Sequence, residues 1–303
     1  MEYLIIAIIG ILFLVKASDI FVDQIIALSK RYKISGFIVG FTVLAFGTSL
    51  PELVTSTYST FSGHPQIAIS NVIGSNIVNL CLILGILAIF KTYKLSKTDV
   101  KYNIPQNLIA ISLFGVLCFA FNFQLFGFDG IILLVIFTIF ILMSKRENHD
   151  IKVKSTIKFN LLILIISFLV LIVAGKISID ELVKFSGLFG IRESLLGYFI
   201  VAIGTSLPEL VTSYMAVKKG NAELGIGNIL GSNLFNLFFI LGISAFINTI
   251  YIQEFLPELV FLAVATFSVL VFALTGKKYY FSKIEGFGLL ILYTIFILIQ
   301  INK

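Results

Sequence analysis

The chain has 303 residues and a formal net charge of +6; 58% of its residues are hydrophobic and only 13% are charged. A soluble protein of this length does not need so much apolar surface, so the composition predicts a membrane protein and excludes an ordinary soluble one. The apolar runs are continuous rather than alternating, which also excludes a membrane β-barrel. We therefore expect an all-α polytopic membrane protein in a lipid bilayer.

Ten apolar stretches are long enough to cross the membrane, because a helix needs about 20 residues to span the hydrocarbon layer. The first stretch is expected to be retained, since no basic segment precedes it and no small-residue cleavage site follows it. The ten expected spans are residues 3–28, 35–60, 66–90, 104–124, 127–144, 158–183, 193–217, 222–247, 256–275 and 283–300.

Two polar motifs occur twice in these apolar surroundings. The sequence GTSLPELVTS fills residues 47–56 and again residues 204–213, and NVIGSNIVNL at 71–80 is echoed by NILGSNLFNL at 228–237. Both motifs are displaced by the same 157 residues, from 47 to 204 and from 71 to 228. The chain is therefore expected to contain two copies of one unit, whose polar atoms meet at one site. We place the first repeat at 1–144, a cytoplasmic linker at 145–157 and the second repeat at 158–303.

Basic residues are unevenly distributed among the loops between the expected spans. Seventeen Lys and Arg residues follow odd-numbered spans, whereas three lie on the opposite side and two lie within spans. Positive residues favour the cytoplasm, so we expect a plasma-membrane protein with both termini outside the cell. Five spans, an odd number, separate equivalent residues. The second five-helix repeat should therefore be inverted relative to the first, as in many secondary transporters.

A proline interrupts the helix in both copies of the first motif. Pro51 and Pro208 lack the backbone N–H and clash with the carbonyl four residues earlier, so each helix should break or kink there. Carbonyl groups released at membrane depth are tolerated where they line a cavity, and carbonyl oxygen is a good ligand for hard cations. The carbonyls concerned lie near Ala45, Gly47, Thr48, Ala202, Gly204 and Thr205.

Each break is followed directly by a glutamate, Glu52 or Glu209, and an ionisable group inside a span is a functional candidate because its burial is costly. Hydroxyl and amide side chains recur at a spacing of four on the neighbouring helices. A set of this kind contains only oxygen ligands, which suits Ca²⁺ or Na⁺ rather than Zn²⁺ or copper. The repeated polar positions are Thr48, Ser56, Asn71, Ser75, Asn79, Asn228, Ser232 and Asn236.

Two inverted copies of GTSLPE, each followed by an Asn-x-x-Gly-Ser-Asn motif, resemble the α-repeats of the cation/Ca²⁺ exchanger superfamily, especially its archaeal and bacterial sodium/calcium exchangers. The resemblance implies that Glu52 and Glu209 bind Ca²⁺ and share in Na⁺ binding, and that Ala45 and Ala202 can contribute carbonyls. It implies no catalytic residue and no cofactor. The side chains that would complete the central sites are Thr48, Ser49, Ser75, Asn79, Thr205, Ser206, Ser232 and Asn236.

The resemblance implies a Na⁺/Ca²⁺ antiporter that works by alternating access. Some members of the superfamily, including potassium-dependent branches, carry an aspartate at the position of Asn236. Here both repeats have asparagine, at Asn79 and Asn236, so the site has two formal negative charges. One Ca²⁺ would neutralise it and three Na⁺ would leave +1, so exchange of three Na⁺ for one Ca²⁺ would be electrogenic and independent of K⁺.

Three other functions are compatible with parts of the pattern. Proton/calcium antiport could use the same two glutamates, but proton-coupled relatives usually carry an acidic residue a few positions after the Asn of the second motif. Here Asn71 is followed by Val-Ile-Gly-Ser and Asn228 by Ile-Leu-Gly-Ser. An intramembrane hydrolase based on Ser49 or Ser206 would need a buried base, whereas His64 and His149 fall in expected loops. A passive cation channel is a more distant alternative. Expected partners are Ca²⁺, Na⁺, the bilayer and, under the first alternative, H⁺; neither nucleic acid nor an obligatory protein partner is indicated.

Charged residues also occur within the first and sixth expected spans. Lys16 and Asp19 are three residues apart, and Lys176 and Asp180 are four apart, so local ion pairs are expected. Cys81 and Cys118 fall inside expected helices and are interpreted as buried packing residues.

Overall fold

The structure is a computed structural model that describes residues 2–32, 36–143, 157–187, 202–275 and 279–301. Residues 145–156 of the expected linker, which include His149, and residues 193–201 of the seventh expected span lie outside the described residues. The described chain is almost entirely helical, as expected from its composition.

The first half contains eight α-helices, three π-helical segments and two short strands among its described residues. In chain order these are α1 (Glu2–Tyr32), α2 (Gly36–Val39), π1 (Gly40–Leu44), α3 (Ala45–Thr48), α4 (Leu50–Phe61), α5 (Pro65–Ile77), π2 (Val78–Ile83), α6 (Leu84–Phe90), β1 (Tyr93–Lys94), π3 (Asp99–Asn103), α7 (Ile104–Ala120), β2 (Gln124–Leu125) and α8 (Phe128–Met143).

The described part of the second half repeats much of this order. Its elements are α9 (Leu161–Gly187), α10 (Ala202–Thr205), α11 (Leu207–Lys218), α12 (Ala222–Leu234), π4 (Phe235–Ile240), α13 (Leu241–Ile247), β3 (Ile250–Tyr251), a 3₁₀ turn (Gln253–Phe255), α14 (Leu256–Leu274), β4 (Tyr280–Phe281) and α15 (Lys283–Ile301).

Six continuous helical stretches in the described residues are long and apolar enough to cross a membrane. The ten expected spans include these six, and two further apolar helices, Phe128–Met143 and Leu161–Ala174, are shorter. The expected span at 35–60 is divided at Ser49, where the first motif interrupts the helix. The six stretches are Glu2–Tyr32, Pro65–Phe90, Asp99–Ala120, Ala222–Ile247, Gln253–Leu274 and Lys283–Ile301.

The two halves of the chain are joined at several places. Strand β1 pairs antiparallel with β4, and β2 pairs antiparallel with β3. Lys91 Nζ, just after α6, donates to the carbonyl of Val217 at 3.0 Å near the end of α11. The short strands therefore connect loops of the first half with loops of the second.

Lys219 joins the end of α11 to α1. Its ammonium lies 2.8 Å from Asp19 Oδ1 and 2.7 Å from Asp23 Oδ1, and it donates to the Asp19 carbonyl at 2.7 Å. The expected pair of Lys16 with Asp19 is present but longer, at 3.8 Å. The side chain that holds Asp19 most closely thus comes from the other half of the chain.

Close backbone contacts between the halves depend on glycine. A Cβ atom on Gly40 would lie 2.3 Å from the carbonyl oxygen of Leu224, and one on Gly231 would lie 2.3 Å from that of Phe41. Real side-chain atoms do not approach a backbone oxygen so closely, so π1 and α12 pack with their main chains almost in contact. This contact places the start of the first motif helix beside α12.

The buried apolar residues form two clusters. The larger one is built mainly from α5 to α8 and from α12 to α15, and it contains Cys81 and Cys118. Both cysteines are free and buried, as the sequence predicts. The smaller cluster lies mainly between α1, α9 and α11, with Phe21, Leu171 and Ala216 among its members. Helices α1 and α9 therefore form a layer of their own against the rest of the bundle.

Candidate cation-binding site

Both copies of the first motif interrupt their helices at the serine before the proline. Ser49 has φ −86° and ψ 12°, and Ser206 has φ −85° and ψ 6°, so neither residue continues the helix. The next helix begins one residue later, with Pro51 or Pro208 in its first turn. That position tolerates proline because the missing N–H has no helical acceptor there. The helix breaks expected from the sequence are confirmed.

The breaks place each glutamate against the opposite repeat. Ser49 donates to Glu209 Oε1 at 2.8 Å, and Ser206 donates to Glu52 Oε1 at 3.1 Å. Both glutamate side chains are completely buried. Ser232 adds a longer contact of 3.4 Å to Glu209 and lies 2.9 Å from Ser49. Each carboxylate is therefore held by the other half of the chain through one of its two oxygens.

Threonine and asparagine side chains connect the repeats in the same reciprocal manner. Thr48 donates to Asn228 Oδ1 at 3.1 Å, and Thr205 donates to Asn71 Oδ1 at 3.4 Å. The amide nitrogen of each asparagine donates within its own repeat. Asn71 Nδ2 donates to the Ser56 hydroxyl at 3.1 Å, and Asn228 Nδ2 donates to the Ser213 hydroxyl at 2.9 Å.

A second set of asparagines crosses between the helices of the second motif. Asn79 Nδ2 donates to Asn233 Oδ1 at 3.0 Å, and Asn236 Nδ2 donates to Asn76 Oδ1 at 3.1 Å. Asn76 Nδ2 in turn donates to the backbone carbonyl of Asn233 at 3.1 Å. All four side chains are at most 2% exposed. Asn76 and Asn233 are not among the site residues expected from the sequence, although both belong to the repeated motif.

Several oxygens in this buried region have no hydrogen-bond partner among the described residues. Each of them can accept a hydrogen bond. The two carboxylate oxygens and the two amide oxygens among them cannot donate one. Burying such an atom without a partner is costly, so each needs an explanation. The atoms are Glu52 Oε2, Glu209 Oε2, Asn79 Oδ1, Asn236 Oδ1 and the hydroxyl of Ser75.

This oxygen set fits a hard cation. Within the described residues, no Lys or Arg pairs with either glutamate. The ion pairs found among them involve Asp19, Asp23 and Glu181 instead. The described residues also contain no cluster of three or more His, Cys, Asp or Glu side chains that could hold a metal. The chemistry of the site therefore depends on two carboxylates combined with amide and hydroxyl oxygens, which is a donor set for Ca²⁺ or Na⁺.

The remaining expected ligands are less clearly placed. Ala45 begins α3, and its carbonyl accepts the Ser49 N–H at 3.0 Å and the Thr48 hydroxyl at 3.4 Å, so it is not released by the break. Ala202 begins α10. His64 precedes α5 in a loop, as expected.

The sequence and the fold both match one family. A profile of the sodium/calcium exchanger protein family matches residues 2–145 and 159–302. The chain belongs to this family. Members of this family are membrane transporters, and the chain is therefore a cation/Ca²⁺ antiporter.

Individual relatives cover most of the chain. An uncharacterized membrane protein of Methanocaldococcus jannaschii is 34% identical over 233 residues, which cover 74% of this chain and 75% of that protein. The sodium/calcium exchanger MaX1 of Methanosarcina acetivorans is 29% identical over 344 aligned residues, covering 97% of both chains. The solved structure of the sodium-calcium exchanger NCX_Mj, soaked with 2.5 mM Na⁺ and 0.1 mM Ca²⁺, has a TM-score of 0.82 and 30% identity. The superposition covers 97% of this chain and 96% of the NCX_Mj chain.

Proposed function

We propose that this protein exchanges Na⁺ for Ca²⁺ across the plasma membrane by alternating access, with three Na⁺ moving against one Ca²⁺ and no requirement for K⁺. The observation that carries the proposal is the group of buried acceptor oxygens without partners, contributed equally by the two halves: Glu52, Asn79, Glu209 and Asn236. Bound cations would provide these oxygens with the partners that they lack among the described residues. The hydroxyls of Thr48, Ser49, Ser75, Thr205, Ser206 and Ser232, and the carbonyls of Ala45 and Ala202, complete the proposed ligand set. The Ala45 carbonyl would have to exchange one of its two hydrogen bonds for the cation.

The charge of this ligand set supports the proposed stoichiometry. Glu52 and Glu209 are its two carboxylates, and the asparagines at positions 79 and 236 add oxygen ligands without charge. The Ca²⁺-loaded site would be neutral and the site with three Na⁺ would carry +1. Each transport cycle would then move one net charge across the membrane. A third carboxylate, which would accommodate a further cation such as K⁺, is absent from this ligand set.

We also propose that the fold consists of ten spans arranged as two inverted repeats, joined by the linker at 145–157. Contacts between elements support this arrangement. Gly40, near the start of the second expected span, lies beside Leu224, near the start of the eighth, as expected if the second and seventh spans run in opposite directions. The pairing of β1 with β4 also supports it, because these strands follow the third and ninth expected spans and both loops are expected on the cytoplasmic side. Both termini would then face outward.

Transport by purified protein in proteoliposomes tests the proposal. Vesicles are loaded with Na⁺, with K⁺ or with a pH gradient in turn, and uptake of ⁴⁵Ca²⁺ is measured. We expect uptake only from the Na⁺-loaded vesicles, with no dependence on added K⁺. Uptake driven only by the proton gradient would replace the proposal with proton/calcium antiport, and uptake without any counter-gradient would indicate a channel.

A further inference from the structure

We infer that Asn76 is a positioning residue for ion binding: it turns the amide of Asn236 so that the carbonyl oxygen, rather than the nitrogen, faces the cation site. The inference rests on the proposed function, because it concerns the tuning of that same site. It assigns a role to a residue that contributes none of the proposed ligands.

The orientation of Asn76 is set by a backbone group. Its Nδ2 donates to the main-chain carbonyl of Asn233 at 3.1 Å. A backbone carbonyl can only accept a hydrogen bond, so Asn76 must present its nitrogen to Asn233 and its oxygen in the other direction. That oxygen accepts a hydrogen bond from Asn236 Nδ2 at 3.1 Å. The amide of Asn236 is therefore committed to Asn76 through its nitrogen.

The consequence for Asn236 is chemical rather than steric. Its Oδ1 is buried and has no partner among the described residues, so the oxygen is available to a cation. If the amide rotated by half a turn, two N–H groups would face the same space, and N–H groups cannot coordinate a cation. The two orientations have nearly the same shape, so packing alone does not choose between them. The hydrogen bond from Asn236 to Asn76 makes the choice.

The equivalent pair in the other repeat lacks this anchor. Asn79 Nδ2 donates to Asn233 Oδ1 at 3.0 Å, but Asn233 Nδ2 has no partner among the described residues. Within the described ranges, no backbone carbonyl fixes the amide of Asn233, in contrast to that of Asn76. The same motif is therefore used differently in the two repeats, and we expect the positioning effect to be stronger at Asn76 than at Asn233.

A test must separate positioning from simple helix bracing, and Asn236→Asp provides the means. A carboxylate has oxygen at both ends, so its ligand capacity does not depend on which end faces the site. Asn76→Leu, which is similar in size to asparagine but cannot form hydrogen bonds, is made in the wild-type and in the Asn236→Asp background. Initial rates of Na⁺-driven ⁴⁵Ca²⁺ uptake are then measured over a range of Ca²⁺ concentrations.

In the wild-type background we expect Asn76→Leu to raise the KM for Ca²⁺ by roughly 10–100-fold, the usual effect of removing a group that orients a metal ligand, with little change in maximal rate. In the Asn236→Asp background the same substitution should not raise KM further, because the two effects are not independent. An equal rise in both backgrounds, or an unchanged KM in the single variant, overturns the inference. Asn76→Ala takes the place of Asn76→Leu if the leucine variant does not reconstitute.

Asn107→Leu is the matched control. Asn107 is a buried asparagine of α7 that donates to the Asn103 carbonyl at 3.3 Å within its own helix region. Its replacement should leave the KM for Ca²⁺ unchanged in both backgrounds. Wild-type vesicles that accumulate no Ca²⁺ under any gradient would overturn the proposed function itself. An active wild type with an unaffected Asn76→Leu variant would overturn only the role of Asn76.

Discussion

At the scale of single residues, the two glutamates have matching environments. Glu52 accepts a hydrogen bond from Ser206 and Glu209 accepts one from Ser49, and in each the other carboxylate oxygen has no partner among the described residues. One oxygen thus fixes the side chain while the other is available to an ion. Because the closest hydroxyl donor to each carboxylate comes from the other repeat, the orientation of each carboxylate depends on both halves being in place.

Replacement of either glutamate by glutamine should abolish most Ca²⁺ transport. At an effective dielectric constant of 20, a unit charge about 4 Å from a divalent ion contributes roughly 8 kcal/mol of attraction, and about 1.4 kcal/mol corresponds to a factor of ten. We therefore expect Glu52→Gln and Glu209→Gln each to reduce ⁴⁵Ca²⁺ uptake more than about a hundredfold while the purified protein remains monodisperse.

Glu258 provides the control for this prediction. It lies 3% exposed in the first turn of α14, directly after Pro257, and accepts a hydrogen bond from Gln300 at 3.0 Å. Glu258→Gln removes the charge of a buried glutamate that also follows a proline but is not in the candidate site, so transport should be retained. Near wild-type exchange by Glu52→Gln or Glu209→Gln would show that the site has been misassigned.

At the scale of secondary-structure elements, the repeated π-helical segments mark the second motif. Asn79 is the second residue of π2 and Asn236 is the second residue of π4. A π-helical turn adds one residue and changes the direction of the side chains around it, and such turns are frequent at functional sites. The two proposed amide ligands thus occupy equivalent local irregularities in the two repeats.

The close approach of π1 and α12 gives a prediction at this scale. Gly231→Ala would place a methyl group 2.3 Å from the carbonyl oxygen of Phe41 and force the elements apart. Overpacking of this kind typically costs about 1–3 kcal/mol. We expect a lower melting temperature in detergent, measured as the loss of the monodisperse peak in size-exclusion chromatography after heating. Gly115→Ala, in α7, has no heavy atom within 4 Å and should melt at or above the wild-type temperature; equal melting of the two variants would contradict the prediction.

The sequence predicts some of these elements well and others not at all. The helix breaks follow from Pro51 and Pro208, because a missing N–H has a local and predictable effect. Pairing of the two repeats follows from the repeated motif itself. The π segments have no such signal, since they result from packing across the bundle. The roles of Asn76 and Asn233 could not be predicted either. An asparagine that binds an ion and one that orients another asparagine are the same residue type in the sequence.

At the scale of the whole molecule, the proposed inverted arrangement predicts opposite exposure for equivalent loops. Ser62→Cys, after α4, should react from outside intact cells with a membrane-impermeant thiol reagent, whereas Lys218→Cys, at the end of α11, should react only after permeabilisation. Both side chains are exposed, and the native Cys81 and Cys118 are fully buried, which should keep background labelling low. Equal labelling of the two variants in intact cells would be incompatible with inversion.

Under the proposed exchange of three Na⁺ for one Ca²⁺, each cycle moves one net charge, so exchange should be sensitive to membrane voltage. One elementary charge crossing 100 mV is worth about 2.3 kcal/mol, which corresponds to a change of roughly fiftyfold in the Ca²⁺ ratio at equilibrium. We expect an inside-negative potential, set with valinomycin and a K⁺ gradient, to favour Na⁺ entry with Ca²⁺ exit. A Ca²⁺ distribution that does not respond to the imposed potential would rule out the three-for-one stoichiometry.

The reciprocal hydrogen bonds between the repeats also have a consequence for biosynthesis. Glu52, Thr48 and Asn76 all have partners that are translated more than 150 residues later, at Ser206, Asn228 and Asn233. At about 5–20 residues per second, the ribosome needs roughly 8–30 s to produce them. During that interval the first half resides in the membrane with its polar motif unsatisfied, which is costly in hydrocarbon. We therefore expect the nascent chain to be a substrate for membrane chaperones and quality-control proteases until these partners have been synthesised.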